Sequence, residues 1–131
     1  VLPPVFWRKN NMKNETMDIH LTLSKKKRCL IKLDGKFNIE SVPMFEEKME
    51  ETFENEISAI IFDFKELKLI DSSGIGSLIK ALNTAKNRDI LFYMFNVSDE
   101  INNIFIVSYL DKFFKIKTQA ELKQLYPELV L

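Results

Sequence analysis

The sequence predicts an α/β fold: one domain with a mixed, mostly parallel sheet of about five strands, accompanied by about four helices. Three observations carry that reading. Short apolar or alternating runs rich in Ile, Leu and Phe are separated by longer stretches with helical apolar spacing. Strands that alternate with helices in this way become parallel neighbours joined by right-handed crossovers. Near the start, two strand-like runs follow one another with no helix between them, which implies an antiparallel hairpin and makes the sheet mixed. The chain's 131 residues suit one domain, and 46% hydrophobic content with eleven Phe supplies a core.

Taken in order, residues 18–23 alternate apolar and polar side chains, as a half-buried strand does. Ser24-Lys25-Lys26-Lys27-Arg28 then turns the chain into a second strand at 29–33. That basic run reads as a solvated hairpin tip, because no aromatic residues interleave it. Ser41 is placed to cap a first helix, with Pro43 tolerated in its opening turn. Val42, Phe45, Met49 and Phe53 form its inner stripe, and Glu46, Glu47, Glu50 and Glu51 its wet face. Residues 59–64 read as a strand buried on both faces, followed by a short loop. Ile75, Leu78, Ile79 and Leu82 recur at i, i+3, i+4 and i+7 and predict a helix over 73–88. Its end, Lys86-Asn87-Arg88, sets cations at the negative pole of the helix.

Residues 91–95 give another buried strand, and Ser98 caps a third helix with Ile101, Ile104 and Phe105 inward. Residues 114–117 form a short alternating strand. Thr118 and Glu121 make a capping box that opens a last helix carrying Leu122 and Leu125, stopped by Pro127. The domain therefore spans 17–126, with a short tail at 127–131. Residues 1–16 read as a poorly ordered leader, given their Asn and Lys content and terminal position, although Val5-Phe6-Trp7 could serve as a partner patch.

Composition excludes several classes of function. Nineteen basic and nineteen acidic side chains cancel, so nothing argues for a nucleic-acid partner or an anionic membrane surface. No apolar run approaches the ~20 residues needed to cross a bilayer, and the opening residues lack the pattern of a signal peptide. A single cysteine, Cys29, excludes an intrachain disulfide and suits a reducing, cytoplasmic setting.

Asp71-Ser72-Ser73-Gly74-Ile75-Gly76 is the segment with functional content. It opens the helix over 73–88, so a hydroxyl there lies beside backbone N–H groups that lack intrahelical partners. Such a serine is either an N-cap or a place where charge is added and removed. Catalysis is not expected. The Gly-x-Ser-x-Gly elbow is absent, the only histidine is His20, and no glycine-rich phosphate loop is present. The carboxylates of the first helix lie on its polar face with no histidine beside them, so neither a metal nor a cofactor is expected.

The same hexapeptide resembles the signature of the STAS-domain anti-sigma factor antagonists of bacteria. Leu33-Asp34-Gly35-Lys36-Phe37-Asn38, Asn96-Val97-Ser98-Asp99-Glu100 and Leu110-Asp111-Lys112-Phe113-Phe114 resemble further segments of that family, in the family's order. The resemblance implies a STAS-like domain that catalyses nothing and is switched at Ser72, the serine after the aspartate, with Ser73 as the competing phosphosite. It implies an anti-sigma factor with serine kinase activity as partner, bound when Ser72 is unphosphorylated, and a serine phosphatase that resets the switch. Sigma-factor-dependent transcription would be the output. Asn38, Asp71, Ser72, Ser73, Gly74, Ile75 and Gly76 would form the partner surface, around the Asn38 loop and a loop at 68–76. Asn38 stands where many of these antagonists carry an aspartate, which keeps size and hydrogen bonding but removes the charge. The contrasting expectation is a structural STAS subunit of a larger signalling or transport assembly, in which Ser72 is only a helix cap.

Overall fold

The computed structural model describes residues 17–129 and 131, so the leader expected at 1–16 lies outside the described residues. The elements run β1 (Met17–Leu23), β2 (Arg28–Phe37), α1 (Val42–Glu54), β3 (Ala59–Ile70), α2 (Ser72–Asn87), β4 (Leu91–Phe95), α3 (Asp99–Val107), β5 (Lys115–Ile116) and α4 (Gln119–Leu125). They form a five-stranded sheet in the order β1-β2-β3-β4-β5. β1 pairs antiparallel with β2 through the hairpin, and the remaining pairs are parallel. This is the α/β architecture that the alternation of patterns predicts.

Each sheet face buries its own set of side chains. On one face Ile31, Leu33, Phe62, Phe64 and Phe92 pack under Phe45 and Met49 of α1, Leu78 and Ala85 of α2, and Phe105 of α3. On the other, Ala59, Ile61, Tyr93 and Phe95 are covered by Leu122 of α4 and by Tyr126 and Leu129 beyond it. Successive residues of β3 thus reach opposite cores, which is why Ala59-Ile60-Ile61-Phe62 is apolar without alternation. Of the two leucines that α4 carries, Leu122 is buried and Leu125 is 48% exposed. Arg28 reaches across the second face, 2.8 Å from Glu128 and 4.8 Å above the Tyr126 ring, so residues beyond α4 lie against the sheet.

β2 and β3 are longer than the sequence suggests. The strand expected at 29–33 continues to Phe37, and the one expected at 59–64 continues to Ile70. Lys32 pairs with Asp63 but Asp34 with Glu66, and Gly35 with Leu67 but Lys36 with Leu69, so β3 carries an extra residue twice. Each bulge resets which side chain faces inward. The buried residues of this stretch are consequently Phe64, Leu67 and Ile70, at a spacing of three that imitates a loop. Gly35, at φ 114°, occupies the left-handed backbone between the two shifts.

Candidate functional site

β2 and β3 end side by side, and a backbone bond ties the residue just after β3 to the last residue of β2. The N–H of Asp71 donates to the carbonyl of Phe37 at 3.1 Å, fixing the start of α2 against the end of β2. Beyond Phe37 the chain closes a turn on itself. Asn38 Oδ1 accepts from the N–H groups of Glu40 and Ser41 at 3.0 and 3.3 Å. Ser41 Oγ accepts from Asn38 N–H at 2.9 Å, and its hydroxyl lies 3.1 and 3.0 Å from the carbonyls of Lys36 and Asn38. Ser41 is fully buried and makes no side-chain cap bond to α1, so it staples this turn instead of capping the helix as expected. The Asn38 side-chain oxygen is engaged in the same turn.

Asp71, not a serine, is the N-cap of α2. Its carboxylate accepts from Gly74 N–H at 3.0 Å, so of the two residue types that could cap here it is the aspartate that holds the helix N–H groups. Ser72 and Ser73 are therefore the first two helical residues, and the loop expected at 68–76 shrinks to Asp71 alone. Ser72 is exposed and Ser73 half-buried. The first turn of α2 holds no acidic side chain, so the N-cap carboxylate of Asp71 is the acidic group at the positive pole of this 16-residue helix, one residue before the Ser72 hydroxyl.

The two glycines of the segment have different surroundings. A Cβ on Gly74 would lie 2.6 Å from the Phe37 carbonyl oxygen and 2.9 Å from both Phe37 Cγ and Ile70 Cγ1. Helix and strand end approach so closely there that only glycine fits. A Cβ on Gly76 would meet nothing within 4 Å, and the residue is exposed. Ile75 is half-buried and packs against the core.

All seven residues expected at a partner surface thus gather at one end of the sheet. What they offer outward is Ser72, Gly76 and the edges of Asn38, Asp71, Ser73 and Ile75. Sequence reasoning missed Ile39, 68% exposed beside Asn38, and Leu69, 47% exposed near the end of β3. Both give this end an apolar rim. An apolar residue directly after the loop asparagine was a signal for the first; the bulges hid the second.

Elsewhere the chemistry is sparse. A groove of about 650 Å³ between α1 and α2 is lined by Phe45, Met49, Phe53 and Ala81 together with Glu46 and Arg88, and does not reach Ser72. Burial pushes the Cys29 thiol up to about 12, which leaves it protonated and inert. Among the described residues, no group of three or more His, Cys, Asp or Glu could hold a metal ion. No helix among them is long and apolar enough to cross a membrane.

A family model described as the STAS domain matches residues 20–124. Among solved structures, the anti-sigma factor antagonist SpoIIAA in its unphosphorylated form is similar with a TM-score of 0.71 and 21% identity, over 87% of this chain and 100% of that one. The phosphorylated form of SpoIIAA from Bacillus gives a TM-score of 0.65 at 21% identity, covering 82% of this chain and 97% of that one. A sulfate transporter family protein from Wolinella succinogenes gives 0.63 at 13% identity, covering 82% and 93%. At such identities the structural likeness establishes the fold.

Proposed function

The chain belongs to the STAS domain family, and on that basis we propose that it is an anti-sigma factor antagonist, switched at Ser72 and itself without catalytic activity. Unphosphorylated, it binds an anti-sigma factor with serine kinase activity and so frees a sigma factor in the cytoplasm. The kinase transfers the γ-phosphoryl group of ATP to the Ser72 oxygen and releases ADP, and a serine phosphatase removes the group by hydrolysis. The observation that carries this reading is the division of labour at the start of α2. Asp71 holds the cap, which leaves the exposed Ser72 hydroxyl without that structural task. The same observation weighs against the scaffold alternative, whose premise is that Ser72 serves as a cap.

Phosphorylation adds roughly −1.5 to −2 charge and three acceptor oxygens. The fold tolerates that anion at the helix N-terminus. A partner packed over Ser72, Gly76 and the apolar rim would have to desolvate it, at a scale of ~3–4 kcal/mol or roughly 10²–10³-fold in affinity. No refolding is required, because the site is built from a strand end, a capped helix and a stapled turn.

Incubation with the purified kinase and ATP, followed by phosphopeptide mass spectrometry, should place the label on Ser72 and lose it in Ser72→Ala. Ser72→Asp should bind the anti-sigma factor at least about tenfold more weakly than Ser72→Ala, with both equally folded by circular dichroism. Label that survives in Ser72→Ala and disappears in Ser73→Ala would move the site by one residue. Equal binding by wild type, Ala and Asp forms would leave the switch without a basis.

A further inference from the structure

The two edges of the sheet are unlike each other. β5 is two residues long, too short to template another strand. β1 is seven residues long, Met-Asp-Ile-His-Leu-Thr-Leu, and contains neither Lys nor Pro. Its register with β2 runs without interruption from Met17 to Leu23, so no bulge twists it away. Among the described residues no strand lies on its outer side. Among the described residues, the devices that would keep this edge strand solitary are thus reduced to one charged side chain, Asp18.

The direction of its amides follows from the hairpin. Ser24 N–H donates to the Arg28 carbonyl at 2.8 Å, which makes Ser24 and Arg28 a hydrogen-bonded pair. Antiparallel pairs alternate between bonded and non-bonded. Counting back along β1, Thr22, His20 and Asp18 exchange bonds with β2, whereas Leu23, Leu21, Ile19 and Met17 turn their N–H and C=O groups outward.

We propose that this edge pairs antiparallel with β1 of a second copy of the chain, about a two-fold axis at His20, joining the two sheets into one. In that register Ile19 lies opposite Leu21 of the second copy, and Met17 opposite Leu23, so every outward amide of β1 finds a partner. It is the register that pairs all seven residues. Asp18, the one charged side chain of the strand, faces Thr22 of the second copy and not its own counterpart. Leu21 and Leu23, 37% and 46% exposed, gain apolar neighbours. They line a groove of about 110 Å³ with Lys48 and Glu51 of α1, and Ile19 and His20 line another of about 350 Å³ with Met44 and Glu47 of the same helix. The axis leaves the two Ser72 ends pointing in opposite directions, so one dimer presents two separate switch sites.

Sedimentation velocity of the full chain should show a concentration-dependent shift from monomer to dimer. Leu21→Pro removes an outward N–H without touching a bond to β2, and His20→Glu sets like charges face to face at the axis. Each should weaken the dimer by about tenfold or more while the circular dichroism spectrum is retained. His20→Cys gives a register test that needs no loss of binding. The two Cα atoms of a non-bonded antiparallel pair stand about 4.5 Å apart, within reach of a disulfide, whereas Thr22→Cys in this register is too distant from its counterpart. Mild oxidation should cross-link the first variant and not the second. A monomer at all concentrations, whatever covers the edge, overturns the proposal. So does a dimer indifferent to both Leu21→Pro and His20→Glu, or a cross-link through Thr22→Cys in place of His20→Cys.

Discussion

Gly74 and Gly76 sit two positions apart in the first turns of α2 and have opposite reasons to be glycine. Helix propensity favours Ala over Gly by roughly 1 kcal/mol at either position. At Gly74 the added methyl would strike a backbone oxygen at 2.6 Å, which cannot yield without moving β2 or the helix. Gly74→Ala should therefore cost about 1–3 kcal/mol in urea unfolding. Gly76→Ala meets open space and should gain about 0.5–1 kcal/mol. If the partner approaches the bare helix at Gly76, that more stable variant should also bind it more weakly, a combination that simple damage to the fold cannot produce. The cap gives a parallel contrast. Asp71→Ala should lose about 0.5–2 kcal/mol, whereas Ser72→Ala should stay within about 0.5 kcal/mol, since the carboxylate and not the hydroxyl satisfies Gly74 N–H. The sequence placed a helix start at this hexapeptide. It could not say which oxygen reaches the third helical N–H, because Asp and Ser are equally good caps and the backbone angle of Asp71 decides between them.

At the scale of the elements, what reads out of a sequence is periodicity, and it fails where the backbone changes period. The helices and the first half of β3 were legible because Phe45 and Met49, Leu78 and Leu82, and Ile101 and Phe105 keep helical spacing, while Ala59-Ile60-Ile61-Phe62 is uniformly apolar. The second half of β3 was not, because two bulges stretch its inward spacing from two residues to three. The same bulges decide where the site lies, since they carry Ile70 level with Phe37 and so bring Asp71 to the Phe37 carbonyl. Leu67 and Leu69 test this reading. Leu67 is 4% exposed and should cost about 2–5 kcal/mol as Leu67→Ala, the loss of a core residue. Leu69, 47% exposed, should change stability by no more than about 0.5 kcal/mol as Leu69→Ser, yet weaken partner binding if the apolar rim is used. A loop at these positions would give two small and similar stability changes.

For the molecule as a whole, the second face of the sheet depends on the residues beyond α4. Leu122, Tyr126 and Leu129 cover Ile61 and Phe95, and Arg28 closes over them through its bond to Glu128 and its contact with the Tyr126 ring. The pairing spans 100 residues of sequence, which is why no local pattern announced it. Burial opposes ionisation of Glu128, but its own backbone N–H, the Arg28 hydrogen bond, and the charges of Arg28 and Lys26 outweigh that and hold its carboxyl below the ordinary 4.5. A carboxyl whose folded value is depressed contributes stability above the unfolded value and loses it as pH falls through the folded one. The contribution of Glu128 is thus complete near neutral pH, declines once pH drops below about 4.5, and is gone beneath the folded value. Glu121, held down chiefly by its bonds to Thr118, titrates in the same direction, so wild-type acid sensitivity alone does not isolate the latch. Glu128→Gln does, because it removes one of the two groups. In urea unfolding the variant should be less stable than wild type at neutral pH, and the gap should close as the pH is taken well below 4.5. A gap of constant size across that range would mean that Glu128 holds the face by packing, with its charge and the Arg28 bond contributing nothing measurable.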